Sequence, residues 1–147
     1  MTTAAQISSV LLAALAALAA LVGGWRWYRV EASAAFWALA RCAQAAAGVQ
    51  ALLAGVLALA GFDPADGLFW LYALLPIAVS FVAEQLRLAS AQTVLDARGL
   101  PDSAAVGALD EAGQRSVVLA IVRREMGVMA IALAVVAVLA LRGLQTL

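Results

Sequence analysis

Three long apolar segments, each bounded by charge, constrain the fold of this chain more than any other feature. They cover residues 45–61, 67–83 and 126–141, and each is about 16 or 17 residues long. At ~1.5 Å per residue, each segment corresponds to roughly 25 Å of α-helix. A bilayer core of about 30 Å would align the three helices, so that the charges at one end of each share a layer near one membrane face.

The composition supports this interpretation. The chain has 147 residues, of which 66% are hydrophobic and 12% are charged, which is typical of an integral membrane protein and not of a soluble domain. Nine basic and nine acidic residues balance. No overall basic field therefore favours nucleic acid as a partner.

The pattern predicts an all-α fold: a four-helix transmembrane bundle that forms a single membrane domain over residues 1–147. The predicted helices cover about 4–24, 33–60, 67–98 and 111–142, and the last three include cytoplasmic extensions. No basic residue precedes the first apolar segment, so we expect a retained helix and not a cleaved secretory signal.

A short cytoplasmic helical extension is predicted between helices 3 and 4. Gly99 and Pro101 are residues that end a helix, and Asp102 or Ser103 can cap a new one, which we expect to continue through Glu111.

Arginine placement predicts the orientation. The turn at 62–66 contains two acids and no base, whereas the connections after helices 1 and 3 are basic. Their basic residues are Arg26, Arg29, Arg98 and Arg115. By the positive-inside rule both basic connections are cytoplasmic, which leaves both termini outside a bacterial cytoplasmic membrane. Only Arg142 opposes this assignment.

Several reactive residue types are missing. The chain has no His, no Lys and no Asn, and Cys42 is its one cysteine. A haem imidazole, a His-ligated metal, a lysine Schiff base and an internal disulfide are therefore excluded. No metal site or cofactor is predicted, and no catalytic motif is found. We expect Cys42 to act as a small packing residue.

The charges beside the apolar segments are the candidate site. The residues are Arg41, Gln44, Glu84, Arg87, Arg123, Arg124 and Glu125. One hypothesis is an interhelical network in which Glu84 bonds Arg41 or Arg124, either as a structural ion-pair network or as a site for an ion or a lipid head group. The alternative is that these residues end the helices and extend to cytoplasmic water and lipid phosphates.

Two features bear on the helices themselves. Pro76 lies in the middle of helix 3, where it removes one backbone hydrogen bond and predicts a kink. Small residues at four-residue spacing predict contact faces between helices. They are Ala16, Ala20 and Gly24 in helix 1, and Ala47, Ala51 and Gly55 in helix 2.

These observations lead to two functional hypotheses. The first is a non-enzymatic accessory or scaffolding subunit, surrounded by membrane lipid, that packs against itself or against another membrane protein. The second is a small homo-oligomeric transporter or channel with a charged site at its inner mouth, in which Pro76 would act as the gate.

Overall fold

A computed structural model describes residues 2–147, and within that range all regular structure is helical. The helices are α1 (Thr2–Arg29), α2 (Ala34–Leu59), α3 (Leu68–Ala97), α4 (Ser103–Gly107) and α5 (Glu111–Leu144). Four of them, α1, α2, α3 and α5, are long and apolar enough to cross a membrane. This arrangement is compatible with a multi-pass membrane protein.

Helix α1 differs from the prediction, whereas α2, α3 and α5 begin and end within two residues of the predicted bounds. The sequence predicts that this helix ends near Gly24, but it continues to Arg29. Gly23 and Gly24 therefore lie inside a helix, as glycine often does in apolar spanning helices. Arg26 and Arg29 consequently belong to the last turn of α1 and not to the following connection.

The turn between α1 and α2 holds an unusual backbone. Val30 has a φ of 53°, a left-handed conformation that is strained for a β-branched residue. The Glu31 N–H donates to the Arg26 carbonyl at 3.1 Å, and the Arg26 guanidinium bonds the Glu31 carboxylate at 2.6 Å. Ser33 then caps α2 by accepting a hydrogen bond from the Phe36 N–H at 3.2 Å.

The connection between α3 and α5 is helical only in part. Gly99, with a φ of 67°, follows α3, and the Leu100 N–H closes the helix end on the Leu95 carbonyl at 3.0 Å. Of the two predicted caps, Asp102 caps α4, and Ser103 is the first residue of the helix. However, α4 ends at Gly107 instead of continuing through Glu111, because Asp110 accepts a hydrogen bond from the Gly113 N–H and begins a new helix there.

The four long helices pack in an antiparallel bundle. Helix α5 packs mainly against α1 and α3, and α2 completes the bundle between α1 and α3. We call the end with α4 the hairpin end, and the end with Thr2 and Leu147 the terminal end. The core consists largely of alanine, with a few larger residues such as Leu12, Phe36 and Met126.

The contact faces are rotated relative to the predicted small-residue stripes. The buried residues of α2 alternate at three- and four-residue spacing and are Phe36, Ala40, Ala43, Ala47, Gln50, Ala54 and Leu57. A strict four-residue stripe drifts off such a face, since the packed repeat averages 3.5 residues. Ala16 and Ala47 are therefore buried, but Gly55 is exposed.

Close contacts establish how the helices are aligned along the bundle. Between α1 and α2, Gly23 lies against the Phe36 ring. Between α3 and α5, Gly143 lies against Tyr72 at the terminal end, and the Arg98 guanidinium donates to the Ser116 hydroxyl at 3.0 Å at the hairpin end. Because neighbouring helices are antiparallel, counting in opposite directions from these contacts gives the residues at equal height along the bundle. Residue 41 of α2 is opposite residue 18 of α1, and residue 84 of α3 is opposite about residue 131 of α5.

Candidate functional site

Four of the seven predicted site residues meet at the Glu84 carboxylate. The Arg41 Nη1 group donates to Glu84 Oε1 at 2.6 Å, and the Gln44 Nε2 group donates to the same oxygen at 2.8 Å. The Arg87 Nε–H donates to Glu84 Oε2 at 2.8 Å. Arg41 also donates to Gln44 Oε1 at 2.6 Å. We call these four residues the Glu84 cluster.

Helical spacing and helix alignment together produce this cluster. Arg41 and Gln44 are three residues apart on α2, and Glu84 and Arg87 are three residues apart on α3, so each pair shares a helix face. Neighbouring antiparallel helices then bring the two pairs side by side. Both carboxylate oxygens accept charge-assisted hydrogen bonds, which are stronger than neutral ones.

Each arginine of the cluster bonds a residue on its own helix that lies one turn nearer the terminal end. Because α2 runs toward the terminal end, Gln44 lies one turn nearer that end than Arg41, to which it is bonded. Helix α3 runs in the opposite direction, so Glu84 also lies one turn nearer the terminal end than Arg87. The Arg87 guanidinium carbon lies 5.5 Å from the centroid of the Trp37 ring, within the range of a cation–π contact. These side chains gather around Glu84 and do not extend toward the solvent beyond the hairpin end.

The Glu84 cluster lies well inside the bundle along its axis. Arg41 is opposite residue 18 of α1, and Arg26 is eight residues farther along α1. At ~1.5 Å per residue, the cluster is roughly 12 Å nearer the middle of the bundle than Arg26. Arg26 is flanked by Trp25 and Trp27 and lies next to Tyr28 in the same turn, so it marks an aromatic layer at the hairpin end.

The cluster is partly open on the outside of the bundle. The Arg41 side chain is 52% exposed, whereas those of Glu84 and Arg87 are 21% and 23% exposed. Both bonds of Arg41 use Nη1, so among residues 2–147 its Nε–H and Nη2 groups make no hydrogen bond. Two guanidinium groups and one carboxylate leave the cluster with a formal charge of +1. Arg41 thus presents unpaired donors on the outer surface of α2.

The other three predicted residues lie elsewhere. Arg123 and Arg124 are exposed and Glu125 is half-buried, and within the described chain none of them takes part in a side-chain hydrogen bond or ion pair. Glu84 lies at about the level of position 131 of α5, and Arg124 is seven residues from that position, or about 10 Å toward the hairpin end. Of the two hypothesised partners of Glu84, Arg41 therefore pairs with it and Arg124 does not. The apolar segment of α5 extends farther toward the hairpin end than those of α2 and α3, which separates the charges into two layers.

A second polar site, not predicted from the sequence, lies nearer the terminal end. Gln50 is 4% exposed, and its Nε2 group donates to the Ala73 carbonyl at 3.5 Å. Its Oε1 atom is buried without a hydrogen-bond donor in the described structure. A very small cavity beside it is lined by Ser8, Ser9 and Ala73. A lone glutamine among alanines carries no spacing signal, so only the structure identifies it.

Pro76 is buried inside α3, which continues without interruption from Leu68 to Ala97. The Ser80 hydroxyl donates to the Pro76 carbonyl at 2.8 Å, and Gln50 reaches the carbonyl of Ala73 one turn earlier. Neither of these carbonyls is the one that the proline leaves without its helical donor, which is the carbonyl of Tyr72.

The chemistry available at the Glu84 cluster is charge pairing and hydrogen bonding. Residues 2–147 contain no group of three or more Cys, Asp or Glu side chains arranged to hold a metal ion. Glu84 accepts from three donor residues, while Arg41 has N–H groups left for an anionic or carbonyl partner. In comparisons with known proteins, no family model, curated protein or solved structure matches this chain.

Proposed function

We propose that this chain is a non-enzymatic accessory or scaffolding subunit of a bacterial cytoplasmic membrane. In this proposal the outer face of α2 binds a transmembrane helix, from a second copy or from another membrane protein. The chain spans the membrane four times, with both termini outside and the α4 hairpin in the cytoplasm.

The observation that carries the proposal is the position of Arg41. The half-exposed guanidinium of Arg41 lies about 12 Å nearer the middle of the bundle than the aromatic layer, so in a bilayer it would face hydrocarbon. An arginine at the centre of the membrane costs about 3 kcal/mol, and less toward the interface. A carboxylate or carbonyl on a neighbouring helix would offset that cost by accepting from its free N–H groups.

The surroundings of Arg41 suit a close helix–helix contact. Ala38, Cys42 and Ala45 flank it, and all three are exposed. Small side chains allow helix backbones to approach closely, and this contact drives association where lipid removes the hydrophobic effect. The sequence predicts that Cys42 acts as a small packing residue, and Cys42 is a free thiol exposed on this outer face.

Gentle detergent purification followed by identification of co-purifying proteins tests the proposal. We expect a stoichiometric companion, or a homo-oligomer, with the wild type and with Arg142→Gln, and its loss with Arg41→Gln. Arg142 is the matched control, since it is an exposed arginine that donates to a glutamine three residues later, Gln145, at 2.9 Å, as Arg41 does to Gln44.

Cys42 distinguishes the two kinds of companion. A disulfide-linked dimer of the wild type under mild oxidation indicates a second copy, whereas a mixed cross-link with a thiol-reactive bifunctional reagent indicates another protein. A monomer without companions for the wild type and both variants contradicts the proposal. Labelling of single introduced cysteines from either side of the membrane tests the orientation separately.

A transporter or channel is the second candidate, and Gln50 favours it. Its unsatisfied oxygen and the cavity beside Ser8 and Ser9 place polar groups between α1, α2 and α3, toward the terminal end from the Glu84 cluster. Reconstituted flux of the wild type, compared with Glu84→Gln and Arg41→Ala, tests this candidate. No flux across a broad panel of ions would reject it.

A further inference from the structure

Two apolar grooves run along the surface of α5 and share one ridge. The α3–α5 groove has a volume of about 460 Å³, with walls that include Val82 and Leu86. The α1–α5 groove has a volume of about 520 Å³ and contains Trp27. Val128 and Ile131 line both grooves and therefore form the ridge between them.

Positive charge lies at the hairpin end of this ridge. Arg123 and Arg124 line the α1–α5 groove, are exposed, and form no ion pair within 4 Å in the described chain. Glu125 is their nearest acid along the chain, and it pairs with neither of them. In contrast, Arg26 and Arg29 are both paired with Glu31.

An indole N–H lies in the same groove. Trp27 packs against Gly127 so closely that a Cβ atom at position 127 would be 3.0 Å from the Trp27 Nε1 atom. The indole nitrogen makes no hydrogen bond among residues 2–147 and is not fully buried. It adds one donor to the two guanidinium groups.

We propose that an anionic glycerophospholipid binds astride α5. Its phosphate is held by Arg123 and Arg124, with the Trp27 N–H beside them, and one acyl chain lies in each groove on either side of Val128 and Ile131. Charge complementarity selects the anionic head group, because the two arginines have no counter-charge of their own.

The shape of the surface favours a lipid over a helix. A helix with its side chains is about 10 Å wide, so it would rest on the Val128–Ile131 ridge without filling two separate grooves. Two flexible chains joined at one polar end match two grooves that lie on either side of one ridge. The site is on α5, which lies diagonally across the bundle from α2, so this proposal does not rest on a partner at Arg41.

Binding of defined lipids to the delipidated full-length protein, counted by native mass spectrometry, tests the proposal. The probes are dioleoylphosphatidylglycerol and dioleoylphosphatidylcholine, which carry the same chains. We expect the wild type to prefer the anionic lipid. The preference should fall about fivefold for each arginine removed, and about thirtyfold for Arg123→Gln with Arg124→Gln. Arg115→Gln, an exposed arginine on the same helix, should leave it unchanged.

Groove-filling variants test whether the two acyl chains of the lipid bind in the grooves. Ala78→Phe fills the α3–α5 groove, and Val128→Phe, on the ridge, narrows both grooves on the terminal side of the arginines. Each should weaken both lipids about tenfold, the loss expected when about two methylene groups stay unburied, while the head-group preference remains. Unchanged helical content by circular dichroism shows that a variant is folded.

Three results would overturn the proposal. An equal affinity of the wild type for the two lipids removes the role of the arginines. Full affinity in both groove-filling variants means that the head group binds without the chains. Displacement of the lipid by millimolar inorganic phosphate means that the site binds free phosphate and not a lipid.

Discussion

The contact between Gly23 and Phe36 yields a prediction that compares two adjacent glycines. A Cβ atom added at Gly23 would be 2.7 Å from Phe36 Cδ2 and 3.0 Å from Cζ. Phe36 is fully buried, and its backbone N–H is bonded to the Ser33 cap, so the ring has little room to retreat. At Gly24, an added Cβ atom would meet no atom within 4 Å.

The magnitude follows from two opposing effects. Overpacking a well-packed core costs about 1–3 kcal/mol. Replacement of a helical glycine by alanine returns about 1 kcal/mol through helix propensity. Gly23→Ala should therefore lower the free energy of unfolding by up to about 2 kcal/mol, whereas Gly24→Ala should raise it by up to about 1 kcal/mol. Since the propensity gain is common to both, the difference between them measures the steric conflict with Phe36 alone.

Unfolding by sodium dodecyl sulfate in mixed micelles, followed by far-ultraviolet circular dichroism, measures these free energies. A third variant, Gly23→Ala with Phe36→Leu, checks the cause, because a smaller side chain at 36 should make the added methyl less costly. If Gly23→Ala and Gly24→Ala differ by less than about 0.5 kcal/mol, the inferred packing of α1 on α2 is refuted.

The same assay checks three further predictions. Glu84→Gln should lower the free energy of unfolding by about 1–2 kcal/mol, because Arg41 and Arg87 lose their shared counter-charge. A double-mutant cycle with Arg41→Gln should give a positive coupling energy, and additive effects would contradict the ion pair. Gln50→Leu should raise the free energy of unfolding by about 1 kcal/mol, because a buried oxygen without a donor is removed. A lower free energy of unfolding would mean that a bound donor already occupies the cavity. Val30→Gly should raise the free energy of unfolding by about 1 kcal/mol, because glycine adopts a positive φ without strain. An unchanged free energy of unfolding would contradict the left-handed conformation of Val30.

Hydropathy alone predicts much of the secondary structure. An apolar segment long enough to span a bilayer must bond its own backbone, so it is a helix whatever its neighbours are. The starts of α2 and α5 also follow local rules, because Ser33 and Asp110 are good capping residues. Prediction fails at Gly23 and Gly24, where glycine would end a helix in a soluble protein. Here α1 continues through both residues, and Gly23 allows close packing against Phe36.

The candidate site could be predicted only in part. Three-residue spacing pairs Arg41 with Gln44 and Glu84 with Arg87, and the nearly equal apolar lengths of α2 and α3 bring these pairs to one level. The same reasoning misplaces Arg124, because it assumes that every apolar segment ends at the same height. Gln50 has no such pattern around it, and its burial is visible only once α1 and α3 pack beside it.

Hydropathy, capping and residue type are properties of the linear chain, and they suffice for the number of long helices, their approximate bounds and the scarcity of reactive chemistry. Helix packing alone decides three other features: which charges meet, which face of each helix is buried, and where the grooves on α5 lie. Helix rotation and alignment depend on local fits between side chains on different helices, and these fits are not local in sequence. The ring of Phe36 against Gly23 and the indole of Trp27 against Gly127 are two of them, and no single apolar segment encodes either one.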